Sequence, residues 1–192
     1  MNESPPEKDF CAAYALLEQG HKEDGLEALQ KLLVKHGLWL KTAAGRPLYE
    51  AVQVQRAFSL MHLKKNLEAR ALLEEAAQFE LSAEVRSALH CHLGRCYHEL
   101  GLYELARGQF ERANVLGVSE EWQPVFHYYH GYTLYELKEF HRAKREFILC
   151  LQSGSSGPDP TLRYAMLAAV SRKLGEHAEA AEYERQAKVF KR

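Results

Sequence analysis

What this chain has little of narrows its possible functions. Its longest wholly apolar run, Ala165–Val170, falls far short of the roughly 20 residues that a membrane-spanning helix needs. No excess of one charge is present either. A net charge of −1 and a pI near 6.8 provide no field to draw the protein onto nucleic acid or an anionic membrane. Ten histidines qualify this, since protonating them turns the chain basic below about pH 6. The opening MNESPPEKDF is polar and lacks the basic and apolar regions of a secretion signal, so a cytoplasmic location is expected. Only four cysteines occur, Cys11, Cys91, Cys96 and Cys150, all within helical patterns. They are expected as free buried thiols rather than as a disulfide framework. There is no C-x-x-C, no H-E-x-x-H, no glycine-rich phosphate loop and no G-x-S-x-G turn. Enzymatic activity and a bound cofactor are therefore not expected. No stretch alternates in the manner of a half-buried strand.

What is present is a period. Ala69, Ala106, Ala143 and Ala180 stand 37 residues apart, and so do Leu63, Leu100, Leu137 and Leu174. Small residues recur in phase at Ala57, Gly94, Gly131 and Ala168, and again at Ala76, Ala113, Cys150 and Ala187. A fixed period in this range marks stacked supersecondary units. Within a unit the apolar spacing is helical. Leu89, Leu93, Cys96, Tyr97 and Leu100 form one stripe, and Leu105, Ala106, Phe110 and Ala113 a second, with Gly101 between them as a left-handed stop. Helices are predicted over 6–19, 22–36, 47–63, 66–80, 83–100, 103–117, 123–137, 140–152, 160–174 and 177–190. Ser82 and Asp159 are the expected N-caps, and Pro47, Pro124 and Pro160 suit first turns. The segments 37–46 and 153–159 read as loops. Leu38, Trp39 and Leu40 fall in or beside the first of these, where they must either pack beneath the first hairpin, plug a groove or meet a partner.

These residues resemble the tetratricopeptide repeat. The third unit matches most closely, through Leu93, Gly94, Tyr97, Gly101, Tyr103, Ala106, Phe110 and Ala113; the fourth comes next, through Gly131, Leu134, Leu137, Phe140, Ala143, Phe147 and Cys150. The second unit is good and the fifth fair. The period exceeds the family's usual 34, and the proline that commonly closes a unit is missing. Ser171 and Glu184 take normally apolar positions in the last unit and suit a terminal cap. The resemblance implies an all-α, right-handed superhelical solenoid of about five antiparallel helical hairpins. After a polar tail over 1–5, a single repeat domain over 6–192 is expected, with units at about 6–36, 47–80, 83–117, 123–152 and 160–190. Gly94 and Gly131 are expected to face Ala106 and Ala143 at the close approach within a hairpin. Phe110 and Phe147 are expected to fill the space against the next one.

The resemblance also implies a concave groove lined by the first helix of each hairpin. Carried onto this chain, its wall centres on Phe58, Met61, Arg95, His98, Tyr128, Tyr132, Tyr135 and Arg172. An aromatic, methionine-containing wall suits an apolar protein segment, with hydroxyls and a few charges fixing its orientation. The expected role is thus a non-enzymatic adaptor or chaperone that binds a protein or peptide partner, without nucleic acid or membrane. One rival is a structural scaffold that forms homo-oligomers through Trp39, Trp122 or an apolar end face. A lesser rival is a metal-binding protein using the cluster from His90 to His98, whose side chains radiate around the helix rather than converge on one ion.

Overall fold

In the computed structural model, which describes residues 4–154 and 157–190, ten helices succeed one another: α1 (Pro5–Glu18), α2 (Lys22–Leu40), α3 (Arg46–His62), α4 (Asn66–Ala76), α5 (Ala83–Glu99), α6 (Tyr103–Leu116), α7 (Gln123–Glu136), α8 (Phe140–Gln152), α9 (Pro160–Lys173) and α10 (His177–Val189). No strand occurs among the described residues. The helices pair in sequence as five hairpins, and each packs chiefly on its hairpin partner. The expected starts are in place. Ser82 Oγ accepts from the Val85 N–H at 3.3 Å, and Asp159 Oδ1 from the Thr161 N–H at 2.6 Å. Two compact units result, Met1–Glu80 with the first two hairpins and Leu81–Arg192 with the other three.

One closing device joins the helices of every hairpin. Gly20, Gly101 and Gly175 have positive φ, and so do Lys64 (59°) and Lys138 (64°). From Lys64 onward these are the same position in successive periods. Around Gly101 its own N–H reaches the His98 carbonyl and the Leu102 N–H reaches that of Tyr97. Around Lys138 the same two bonds run to Tyr135 and Leu134. Such paired bonds satisfy the last carbonyls of a helix and need a left-handed residue after it. Glycine takes that conformation freely, whereas a side chain strains it by about 1–2 kcal/mol. Lys138→Gly is therefore expected to raise the chain's stability by about 1 kcal/mol, read as a higher midpoint in thermal or urea unfolding.

At the close approach within a hairpin the small residues meet aromatic rings. A Cβ on Gly94 would sit 2.8 Å from the Phe110 ring, and one on Gly131 would lie 3.0 Å from Phe147. The glycines therefore make room for the phenylalanines of their own hairpins rather than facing Ala106 and Ala143 alone. Phe110 also reaches the next hairpin, its ring centroid 5.8 Å from that of Phe126 and 5.5 Å from that of His130. Ion pairs repeat with the period as well. Arg107 pairs with Glu139 at 2.7 Å and, one period on, Lys144 pairs with Glu176 at 2.6 Å.

In the first unit the expected loop over 37–46 is shorter. α2 continues to Leu40, which places Leu38, Trp39 and Leu40 on its last turn. A glycine inside a helix costs only about 1 kcal/mol, and the burial of Trp39 and Leu40 outweighs that cost at Gly37. Leu40 is buried and Trp39 packs against a core of Ala13, Leu17, Leu29, Leu32 and Val52, while Leu38 remains exposed. Gly45 turns the chain back beside this helix end. A Cβ there would lie 2.3 Å from the Trp39 carbonyl oxygen, so the turn requires glycine on steric grounds. α4 ends at Ala76, short of the predicted 80. There the N–H groups of Gln78 and Phe79 fall back on carbonyls three residues earlier, which tightens and ends the turn. Cys91, Cys96 and Cys150 are buried as expected and form no disulfide, but Cys11 is exposed. Burial pushes the Cys91 thiol up to about 12 and the Cys150 thiol up to about 11. Both therefore stay protonated and unreactive at neutral pH.

Candidate functional site

In the second unit, α7 packs against both α5 and α9. Polar and aromatic side chains from α5 and α7 meet there. The His98 ring lies 4.7 Å from the Tyr132 ring, 5.8 Å from Tyr129 and 5.5 Å from Tyr103. Its Nδ1 is 3.0 Å from Thr133 Oγ1, and the Thr133 hydroxyl in turn donates to the Tyr129 carbonyl at 2.8 Å. Burial lowers the His98 pKa, with the nearby Glu99 carboxylate acting in opposition. A neutral imidazole therefore holds these rings together at neutral pH. One turn away, the Arg95 guanidinium lies over the Tyr129 ring at 5.2 Å, a cation–π contact that fixes the arginine without neutralising it.

The structure treats the sequence-predicted wall residues unequally. Arg95, His98, Tyr128 and Tyr132 come together. Tyr135 lies one helical turn further along α7, its ring 5.5 Å from that of Phe140. Arg172 is exposed and engaged elsewhere, in an ion pair with Glu184 of α10. Phe58 and Met61 lie in the first unit, Phe58 half-buried and Met61 fully buried. Tyr128 is also buried. Its ring packs edge-on against Phe147, in a core shared with Leu134, Leu167 and Val170, and burial pushes its hydroxyl up to about 12. Helical spacing groups Tyr128 with Tyr132 and Tyr135 but does not reveal that the α8 and α9 side chains cover its end of the row. Tyr129, absent from the predicted set, is the ring on which Arg95 rests. Its position three residues before Tyr132 puts it on the same helical face, which was the signal available in the sequence.

The histidines and cysteines of the His90–His98 stretch do not converge on one ion site. His90 Nδ1 is 2.8 Å from Gln109 Oε1, and His92 lies edge-on to Trp122 at 4.6 Å. Among the described residues no three His, Cys, Asp or Glu side chains are placed to hold a metal ion. A different charged cluster is present that the sequence does not reveal. Glu146 Oε2 lies 2.8 Å from His127 Nδ1 and 3.4 Å from His130 Nδ1, all three side chains being mostly buried. Burial alone would raise the Glu146 pKa, but the two histidines outweigh it and hold the carboxylate at about 2. A carboxylate depressed in the fold stabilises it above the ordinary value near 4.5. That contribution is lost as the pH falls from there toward 2.

No protein-family model and no curated protein matches this sequence. Solved structures do resemble it. MamA from Desulfovibrio magneticus aligns over 98% of this chain and 96% of its own, at 13% identity and a TM-score of 0.71. YrrB, a TPR protein with an unusual peptide-binding site, aligns over 95% of this chain and 84% of its own, at 16% identity and 0.68. A putative kinesin light chain from Podosopora anserina with nearly identical TPR-like repeats covers 99% and 97%, at 17% identity and 0.69. Likeness at these identities is a likeness of fold, so this chain has the helical-hairpin repeat fold of the tetratricopeptide-repeat proteins.

Proposed function

We propose that this protein is a non-enzymatic protein-interaction module that holds an apolar peptide segment against the α5–α7 face of its second unit. The observation that carries the proposal is the packed set Arg95, His98, Tyr129 and Tyr132. Rings and one charge are fixed by contacts within the protein, so little side-chain freedom remains to be lost on binding. Tyr132 and Tyr135 are each partly exposed and would supply apolar contact with a hydroxyl at the rim. Arg95 would take a carboxylate or main-chain carbonyl of the guest. The peptide-binding site of YrrB is a precedent on the same fold at low identity. Such a face suits an adaptor or chaperone role.

Tyr132→Ala combined with Tyr135→Ala tests this reading. Both positions are partly exposed, so helical circular dichroism should persist while capture of the partner from the native host is lost. Capture at the wild-type level would remove the proposed face. Tyr128 is unsuitable for this test, because truncating a buried ring costs about 3–5 kcal/mol in its own right. A second reading is self-assembly through the C-terminal end, where Phe190 stacks on Tyr164 at 5.7 Å and Leu162, Val189 and Phe190 are exposed. A monomer at micromolar concentration in light scattering would contradict it.

A further inference from the structure

A second surface feature, separate from the tyrosine face, lies along the hairpin of α5 and α6. Gly108, Glu111, Arg112 and Val115 stand at i, i+3, i+4 and i+7 on α6. Together with Arg86 and His90, one turn apart on α5, they line a groove of about 530 Å³. Three observations distinguish it from an ordinary crease between helices. Gly108 occupies a helix interior, where glycine costs about 1 kcal/mol relative to alanine, yet a Cβ there would meet nothing within 4 Å. Packing therefore does not require the glycine; what it provides is an open floor. Val115 is 86% exposed beside it, so the wall is apolar without being covered.

The third observation is the charge. Glu111 is already engaged by Arg142 at 3.2 Å and by Arg107 at 4.0 Å. Arg86 donates to the Leu81 carbonyl. Among the described residues, neither Arg86 nor Arg112 has a carboxylate oxygen within ion-pairing distance. Both guanidinium groups lie near enough to His90 to act with burial in holding its imidazole neutral. The groove is thus an apolar trough bordered by two cations whose counter-charge is not supplied from within the hairpin. Its breadth and openness suit a chain segment rather than an enclosed small molecule.

We propose that this groove is a docking site for an acidic protein segment presenting an aliphatic side chain, seated over Gly108 against Val115 and Leu116, with its carboxylates on Arg86 and Arg112. Paired guanidinium groups favour carboxylates through charge-assisted bonds, and a glycine floor lets the aliphatic group approach the helix backbone.

Titration of the isotope-labelled full chain with short synthetic peptides tests the proposal by NMR. The probes are acetyl-Glu-Leu-Leu-Glu-amide, its lysine counterpart acetyl-Lys-Leu-Leu-Lys-amide, and acetyl-Glu-Ser-Ser-Glu-amide. Saturable shifts at the amides of Gly108, Arg112 and Val115 are expected from the first peptide alone and should weaken as salt is added. Gly108→Leu should weaken that binding by about tenfold or more, equivalent to about 1.4 kcal/mol, without lowering the thermal midpoint. Arg86→Gln with Arg112→Gln should do the same while leaving the tyrosine face untouched. Equal shifts from the lysine peptide, shifts centred on Tyr132 instead, or no saturable shift at millimolar peptide would each overturn the proposal.

Discussion

Gly94→Val is expected to lower the thermal midpoint by roughly 2–12 °C, through an overpacking penalty of about 1–3 kcal/mol. Even the first carbon of a side chain at this position would lie 2.8 Å from two atoms of the Phe110 ring, well inside van der Waals contact. The ring cannot give way. It is 1% exposed and is held from the far side by Phe126 and His130 of the next hairpin. The strain must therefore pass into the spacing of α5 and α6 or into the stacking on α7. Gly94→Ala should show the same effect in smaller measure, and adding Phe110→Leu to it should recover part of the loss by freeing the space that the Cβ needs. Those two substitutions are in contact and should not add. A midpoint for Gly94→Val within a degree of wild type would mean that the ring is free to move aside.

Arg163→Met is expected to be comparably damaging, for a different physical reason. Arg163 is 3% exposed. Its Nε donates to the Pro158 carbonyl at 2.7 Å, and its Nη1 to the carbonyls of Gly154 at 2.7 Å and Cys150 at 3.2 Å. The guanidinium thus takes the place of solvent at these three carbonyls. Methionine keeps much of the aliphatic volume but removes the donor from the part-buried Pro158 and Gly154 carbonyls, at about 1–3 kcal/mol for each that stays dry, while the Cys150 carbonyl keeps the Ser153 hydroxyl at 3.3 Å. A loss of about 3 kcal/mol is expected, together with faster proteolytic nicking between α8 and α9. Differential scanning calorimetry and timed digestion would measure the two effects. Unchanged calorimetry with unchanged digestion would show that those carbonyls find water instead.

Much of the fold is legible in the residues because its determinants are periodic. The in-phase columns give the hairpins, Gly101 gives a turn, and Ser82 and Asp159 give helix starts. What escapes the pattern is set by contacts between units of the pattern. Lys64 and Lys138 occupy a conformation that favours glycine, and their side chains carry no sign of it; only the alignment with Gly101 and Gly175 does. Trp39 and Leu40 lie beside a glycine that suggests a loop, but the core beneath them extends the helix. Tyr128 and Tyr132 are equivalent by helical spacing, yet only the packing of α8 and α9 decides which is covered. Nothing in the sequence marks Arg163, because the carbonyls it serves at Cys150, Gly154 and Pro158 follow no periodic signature.

The same distinction bears on function. Spacing alone groups Arg95, His98 and the tyrosines of α7, whereas burial sorts them into ring packing (His98, Tyr128) and an accessible edge (Tyr132, Tyr135). The most direct measurement of the proposed binding face places a photo-crosslinking benzoylphenylalanine at position 135, and separately at position 105 on α6, in the full chain within its native host. A distinct crosslinked protein adduct from position 135, absent from position 105, is the predicted result. Adducts of equal yield and identity from both positions, or none from position 135, would contradict it.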